Sequence, residues 1–229
     1  MNIRELIKGN PYVGRGVIAG HAPSGKQAVA YFIMGRSQNS RNRVFVKDGD
    51  DVMIKPYDES KVEDPSLIIY YPVRTAPGAL IVTNGDQTDT IRDFLGRGET
   101  FEDALRTREF EPDAPNYTPR ISGLVTDDGV SRLSILRCAD GAGKLCERFF
   151  FEYAKEPGTA HFIHTYVTDG DPLPSFRGEP EETEVPEDIE AFAEDIWEGL
   201  DPDNKISLYV RYTDPESGTY EDRLINKYE

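Results

Sequence analysis

Basic side chains are scarce in this sequence, with 26 Lys and Arg against 42 Asp and Glu and a formal net charge of −16. That balance excludes a polyanion partner, because binding to nucleic acid rests on a broad cationic surface. Long apolar runs are also missing, so no segment reads as a membrane span. The opening Met1-Asn2-Ile3-Arg4-Glu5-Leu6 lacks the apolar core and cleavage signature of a secretory peptide, and a cytoplasmic location is the expectation. Cysteine is limited to Cys138 and Cys146, on either side of the Gly-rich turn Asp140-Gly141-Ala142-Gly143. The two thiols can face each other on a hairpin, and without an export signal they are expected as reduced, packed thiols rather than a disulfide. No metal-ligand constellation is present. His161 and His164 are three residues apart in what reads as a strand, which points their rings to opposite faces.

What is there describes an ordinary globular protein. The 229 residues suit one large domain, and hydrophobic residues make up 38% and aromatics 10% of them. The acidity is uneven, since Glu179 to Asp203 holds twelve carboxylates and no Lys or Arg, leaving the remainder only mildly acidic. Against it stands a basic cluster, in which Arg36, Arg41 and Arg43 fall within eight residues, interleaved with Ser37, Asn39, Ser40 and Asn42. Apolar Ala28 to Met34 precedes the cluster and Val44 to Val46 follows it, so a strand pair is expected to present a basic loop. Guanidinium groups beside hydroxyls grip phosphate or carboxylate through charge-assisted hydrogen bonds of about 1.5 to 3 kcal/mol each. A solvated hairpin tip is the alternative. An acidic exterior around a basic pocket implies a small anionic ligand rather than a long one.

Along the chain, Asn10 to Gly20 reads as a glycine-punctuated strand. Gly14, Gly16 and Gly20 are spaced G-x-G-x-x-x-G with no helix after them, so no dinucleotide site is expected. Pro23-Ser24-Gly25 turns into Gln27 to Met34, and Asp48 to Asp51 is a further turn. Residues 66 to 74 form an apolar run centred on Tyr70 and Tyr71, with Pro72 marking an edge strand or a bulge. Ala79 to Thr83 is a short strand that delivers Asn84-Gly85-Asp86-Gln87-Thr88-Asp89-Thr90 to a helix carrying Ile91, Phe94 and Leu95. That heptad is read either as a site or as a capped turn in which Thr88 and Asp89 serve the helix alone. Thr100 and Asp103 cap a second helix. Phe110 to Gly123 holds Pro112, Pro115 and Pro119, a stiff loop that fixes Glu111, Asp113, Asn116, Tyr117, Thr118 and Arg120 in place. Strands resume at Gly123 to Thr126, Ser131 to Arg137, Glu147 to Tyr153 and Ala160 to Val167. A Pro-rich connector at Asp171 to Pro180 leads to a helix from Pro186 to Leu200, with an apolar stripe and a solvated acidic face. Ile206 to Tyr212 and Tyr220 to Ile225 read as a terminal hairpin. About eight to ten strands with three or four helices make a layered α+β domain of mostly antiparallel sheets over 1–229.

Three segments together resemble the archaeal-type inosine monophosphate (IMP) cyclohydrolase family and its bacterial relatives. They are Met34-Gly-Arg-Ser-Gln-Asn-Ser-Arg-Asn-Arg-Val-Phe45, Thr83-Asn-Gly-Asp-Gln-Thr-Asp-Thr-Ile91 and Asn116-Tyr-Thr-Pro-Arg-Ile-Ser-Gly123. The resemblance covers about residues 10 to 170, and the region from Glu179 to Glu229 carries no usable motif. It implies a four-layer αββα sandwich like that of the N-terminal-nucleophile hydrolases, used without their chemistry, since Met1 and Asn2 offer no nucleophile. It further implies a cofactor-independent, metal-free cyclic-amidine hydrolase run in the ring-closing direction. The substrate is a small ribonucleotide, 5-formamidoimidazole-4-carboxamide ribonucleotide (FAICAR), which becomes IMP with loss of water. Homo-oligomers are usual in the family. On this reading Arg36, Ser37, Ser40 and Arg43 clamp the phosphate, Tyr70 and Glu111 move protons, and Asn84, Asn116 or Arg120 polarise the reacting oxygens. Basic surroundings are expected to lower the Tyr70 pKa from about 10 toward the working pH. Tyr71 remains an alternative to Tyr70, and Asp86 and Asp89 have no assigned role. The rival readings are a non-catalytic purine-nucleotide binding protein, an amidohydrolase of the wider sandwich superfamily, and an acidic docking surface on the helix from Pro186 to Leu200.

Overall fold

Val17, Ile18 and Ala19 are consecutive and all fully buried. Successive strand residues point to opposite sides, so such a run needs a cover on each face. The computed structural model describes residues 1–62 and 69–228 and supplies both covers. Helix α1 (Ile3–Ile7) is followed by β1 (Arg15–His21), β2 (Gln27–Met34), the short helix α2 (Gln38–Arg41), β3 (Val44–Asp48) and β4 (Asp51–Lys55). Next come β5 (Val73–Ala76), β6 (Ala79–Thr83), helices α3 (Gln87–Gly96) and α4 (Phe101–Arg106), then β7 (Arg120–Thr126), β8 (Ser131–Cys138) and β9 (Cys146–Tyr153). The chain continues through β10 (Thr159–His164), β11 (Glu181–Glu184), α5 (Ile189–Gly199), β12 (Lys205–Thr213) and β13 (Tyr220–Asn226).

Two sheets result, in the orders β11-β10-β1-β2-β12-β13 and β3-β4-β5-β6-β7-β8-β9. Every pairing within them is antiparallel. The sheets stack through a core in which Val17, Val29, Tyr31, Ile163 and Tyr209 meet Ile54, Val82, Ile121, Leu133 and Ile135. On the outer face of the first sheet, Ile18, Phe32 and Phe162 pack under Ile3 and Ile7 of α1 and Phe192 and Ile196 of α5. On the outer face of the second, Ile81, Leu124 and Leu136 pack under Ile91 of α3 and Phe101 and Leu105 of α4. The layer order is therefore helix, sheet, sheet, helix, an α+β sandwich as expected.

Differences from the sequence reading are local. The basic loop is not an open hairpin tip, because Ser37 and Ser40 cap one another and nucleate α2. The helix after Thr83 starts earlier than its apolar pattern, at Gln87, and α1 and the acidic strand β11 lie where no regular element was expected. Residues 66 to 68 of the apolar run fall outside the described residues, Ile54 N donates to the Tyr70 carbonyl at 2.9 Å, and the strand itself begins at Val73. Cys138 and Cys146 are opposite one another in the β8–β9 register, and both are free thiols. His161 stacks on Tyr153 while His164 stacks on Phe162, on opposite faces of β10. Among the described residues no helix is long and apolar enough to cross a membrane.

At the end of β1, His21 is 1% exposed and its Nε2 has no hydrogen-bond partner. Burial, with the Lys155 charge adding to it, pushes its pKa down to about 4. The folded state thus prefers the neutral ring, so its stabilising effect is complete above the unfolded value of 6.5 and is lost as pH falls toward about 4. Urea unfolding is predicted to show a loss of up to about 3 kcal/mol across that window from this residue. His21→Gln should flatten the slope, and an unchanged slope would refute the assignment.

Candidate active site

The start of β1, the end of β2, the start of β7 and the end of β10 all meet at one end of the sandwich. The segments attached there enclose a cavity of about 490 Å³ lined by Arg15, Arg36, Arg43, Glu111, Asn116 and Tyr166, among others. That volume suits a nucleotide-sized ligand.

Arg15 opens β1 opposite Ile33 and shares the inward face of Val17 and Ala19. Its neighbours Gly14 and Gly16 are required by close approach, since a Cβ on either would lie 2.2 Å from Thr165 Oγ1 or from the Phe32 ring. Arg43 enters from the loop after α2 and is buried. Neither guanidinium has a hydrogen bond or an ion-pair partner among the described residues, and Arg43 Nε is a buried donor left unsatisfied. Burial, with the Arg15 charge adding to it, pulls the Arg43 pKa down. For Arg15 burial also opposes the charge, but Tyr12, Tyr70, Tyr31 and Glu111 outweigh it and hold the group cationic. A buried Arg43 next to a half-buried Arg15, both without partners, is costly, and a bound anion removes that cost.

Arg36 sits at the rim, bonded to Asp169 at 2.5 Å and to the Gly170 carbonyl at 2.7 Å, with Tyr12 beneath its guanidinium. Ser37 and Ser40 line the cavity but spend their hydroxyls on each other. Arg41 is turned away, donating to Gly35 and Asn204.

Glu111 is half-buried in the cavity wall, and its carboxylate has no hydrogen-bond partner among the described residues. Burial raises its pKa, opposed by the charges of Arg15 and Arg120. Tyr70 is 7% exposed and shares a 2.9 Å hydrogen bond with Tyr31. Its pKa is raised, because burial outweighs Arg43 and Arg15; the expected lowering is corrected here, and the hydroxyl stays protonated. Tyr71 points outward instead, donating to Asp48 at 2.7 Å under the Arg74 guanidinium. Tyr70 is the tyrosine on the side of Arg15 and Arg43, behind the residues that line the cavity.

Asn116 lines the cavity and accepts from Leu173 N at 3.0 Å. Beside it, Thr118 donates to Asp113 and accepts from Tyr166, each at 2.5 Å. Asn84 and Arg120 stand behind this wall. Asn84 donates to the Pro119 carbonyl and accepts from Ile121 N and Gln87, which uses its whole amide within the turn. Arg120 donates to Gln87 at 2.6 Å and pairs with Asp86 at 2.7 Å. Asp86 also pairs with Arg108; burial works against its charge, and the two arginines still hold its pKa low. Asp89 pairs with Arg74. Thr88 bonds Thr83 and the Gly85 carbonyl within the turn, and the N-cap residue of α3, Asp86, makes no side-chain cap bond. The Asn84-to-Thr90 and Asn116-to-Gly123 motifs are therefore two halves of one bracket that anchors the 110–119 loop. Arg15, Tyr12, Tyr31 and Tyr166 escaped the sequence reading. The signal for Arg15 was a charge between two glycines in an otherwise apolar strand.

Replacing Asn84 with Ala leaves the Pro119 carbonyl and Ile121 N unpaired in a buried place. A loss of about 2 to 4 kcal/mol is predicted by chemical denaturation. A variant within about 0.5 kcal/mol of the parent would show that the bracket is not structural.

A family model described as IMP cyclohydrolase-like protein matches residues 12–218. The IMP cyclohydrolase of Methanopyrus kandleri is 32% identical over 182 residues, which is 72% of this chain and 89% of that protein. That of Methanococcus aeolicus is 31% identical over 159 residues, 68% of this chain and 74% of the relative. That of Methanocella arvoryzae is 36% identical over 135 residues, 52% of this chain and 65% of the relative. The family match takes in Arg15, the basic loop, both halves of the bracket and the cavity they surround, and the chain belongs to the IMP cyclohydrolase-like family.

Proposed function

We propose that this protein is an IMP cyclohydrolase, closing the second purine ring of FAICAR with loss of water. The observation that carries the reading is the pair of guanidiniums of buried Arg43 and half-buried Arg15, neither with a hydrogen-bond or ion-pair partner among the described residues, beside the unbonded carboxyl of Glu111. An anionic substrate supplies the missing counter-charge, and the reaction needs the remaining groups. On the same reading the whole of 1–229 acts as one domain, in the cytoplasm, within a homo-oligomer.

The two reacting groups are on one molecule, so orientation replaces collision. The substrate carboxamide nitrogen attacks the formyl carbon and an N–C bond forms. Glu111, with its pKa raised by burial, takes the amide proton. Arg15, held cationic, receives the charge that develops on the formyl oxygen. Glu111 passes that proton to the oxyanion to give the carbinolamine hydroxyl, and Tyr70, kept protonated by burial, donates the second proton as the C–O bond breaks and water leaves. The remaining ring-nitrogen proton returns to the Tyr70 oxygen as the C=N bond forms. Asn116 is placed to hold the carboxamide oxygen. Asn84 and Arg120 act from behind, by fixing the loop that carries Glu111. Arg36, Ser37 and Ser40 take the phosphate at the rim with Arg43 below, and Arg36 exchanges Asp169 for it.

The test is a spectrophotometric assay with purified protein and FAICAR. Glu111→Gln and Tyr70→Phe are each predicted to lower kcat by about 10²- to 10⁴-fold with folding retained. Arg36→Ala should mainly raise KM, by about 5- to 30-fold, because an existing ion pair is traded for the new one. Folded protein that binds IMP but does not turn over FAICAR would replace the enzyme by a nucleotide-binding protein. Absence of both would overturn the reading.

A further inference from the structure

Cys138 closes β8 and Cys146 opens β9, and the register sets them directly opposite one another. Ala139 N bonds Leu145 O at 2.8 Å, so that pair is hydrogen-bonded and the next pair, Cys138 with Cys146, is not. Residues opposed in this way put their side chains on one face of the sheet with Cα atoms about 4.5 Å apart, and a disulfide spans Cα separations of about 4.4 to 6.8 Å. Rotating the two side chains therefore suffices to join them, with the strands left where they are. Both thiols are free, and the Cys138 sulfur is near enough to act on the Cys146 thiol.

Each thiol is engaged elsewhere. Cys138 Sγ donates to Asp140 Oδ1 at 3.3 Å, and Cys146 Sγ to the Glu147 carbonyl at 3.6 Å. The same Asp140 oxygen accepts from Ala142 N at 3.0 Å and Lys144 N at 3.3 Å, so one acceptor holds both the thiol and the turn. That turn is open to solvent, with Leu145 61% exposed, and a small oxidant can reach the half-buried Cys146 from it. On its inner side the turn meets the loop that carries Glu111, Asn116 and Thr118. Gly143 lies against the Tyr117 ring, since a Cβ there would be 2.5 Å from it. Tyr117 is held at a φ of 45°, edge-on to the Phe110 ring at 5.6 Å. At the other end of the loop, the Phe110 backbone is close enough to act on the Cys146 thiol.

We propose that Cys138 and Cys146 are a reversible dithiol and disulfide pair, oxidised by a peroxide, whose closure loosens the Phe110-to-Thr118 loop. The thiolate of one cysteine attacks a peroxide oxygen and the O–O bond breaks, leaving a sulfenic acid and one molecule of water or alcohol. The second thiol attacks that sulfur, the S–S bond forms, and the S–O bond breaks as water leaves. The two sulfurs together give up two electrons, and the peroxide takes up the same two. Closure removes both S–H donors from Asp140 and Glu147, so the turn that buttresses Tyr117 is released from one of its ties. Burial raises the Cys146 pKa, so its thiolate is scarce at neutral pH and the reaction quickens as pH rises. The pair stands outside the cavity, and its chemistry does not depend on the proposed activity.

The test treats the reduced protein with hydrogen peroxide, unfolds it in iodoacetamide and weighs it by mass spectrometry. Both thiols are expected to escape alkylation, with the mass lower by two hydrogens, a peptide map linking 138 to 146, and full reversal by dithiothreitol. Cys138→Ser and Cys146→Ser should each abolish the link. Hydrogen exchange then reads the loop. The Glu111 amide, which donates to Thr118 O at 2.9 Å in the reduced protein, is expected to exchange about threefold faster or more once the disulfide has formed, and to do so in neither serine variant. Turnover of FAICAR should fall by about tenfold on oxidation and recover with dithiothreitol, a readout that alone rests on the proposed activity. Thiols that both alkylate after peroxide, or that are oxidised singly without a link, would overturn the pair. A linked protein whose loop exchanges at the reduced rate would overturn its effect on the loop.

Discussion

The structure turns on two guanidiniums at one end of a sandwich, Arg43 buried and Arg15 half-buried, with no hydrogen bond or ion pair of their own among the described residues. An uncompensated buried cation is among the more expensive features a fold can hold, and here the Arg15 charge adds to the cost of burying Arg43. The surroundings explain how they persist. Tyr12 lines the same cavity as Arg15, the Tyr31 and Tyr70 hydroxyls bond one another, and the Glu111 carboxyl acts on both arginines. These groups moderate the cost without cancelling it, leaving a cavity that favours an anion. In a chain whose outer surface is strongly acidic, that preference is confined to one small volume, and it selects a compact anionic ligand over a polymer.

Most of what lies behind the cavity serves to keep these charges in register. The first sheet fixes Arg15 by pairing β1 with β2 and β10, so its backbone is held on both sides. The second sheet fixes the opposite wall through the bracket, in which Asn84 and Gln87 tie the β6–α3 turn to the start of β7. From that anchor the proline-stiffened loop carries Glu111, Asp113, Asn116 and Thr118 into the cavity. Groups held by rigid elements lose little entropy on meeting a ligand, which is what an intramolecular ring closure needs most.

The sheet layout was legible because its signals are local. Alternation, turn residues and the Thr100 cap each lie within a few positions, and the helix stripe from Ile189 to Leu200 announced its own buried face. Glu111, Asn116, Arg36 and Arg43 were legible as candidates from their polar company, and the fold brings all four to one cavity. Asn84 and Arg120 stand behind that cavity, because whether an amide is free or consumed depends on carbonyls and N–H groups more than thirty residues away. Arg15 was hidden for a related reason. Its importance comes from strand pairing that places it across from the end of β2, and no short window of sequence contains that fact. The direction of the Tyr70 pKa shift was misjudged because sequence shows which charges are near but not how deeply a phenol is buried. The pairing of Ser37 with Ser40 likewise depended on a four-residue helix too short to leave a periodic trace.

If buried, unpaired charge is what the fold maintains for its ligand, stability and binding must be opposed at Arg43. The direct measurement is the melting temperature of Arg43→Met and of the parent protein, each with and without saturating IMP. The account predicts that the variant melts higher than the parent when ligand-free, by several degrees for a gain of about 1 to 2 kcal/mol, and that IMP raises the parent's melting temperature but not the variant's. A variant that melts lower than the parent without ligand, and is still stabilised by IMP to the parent's extent, would contradict it.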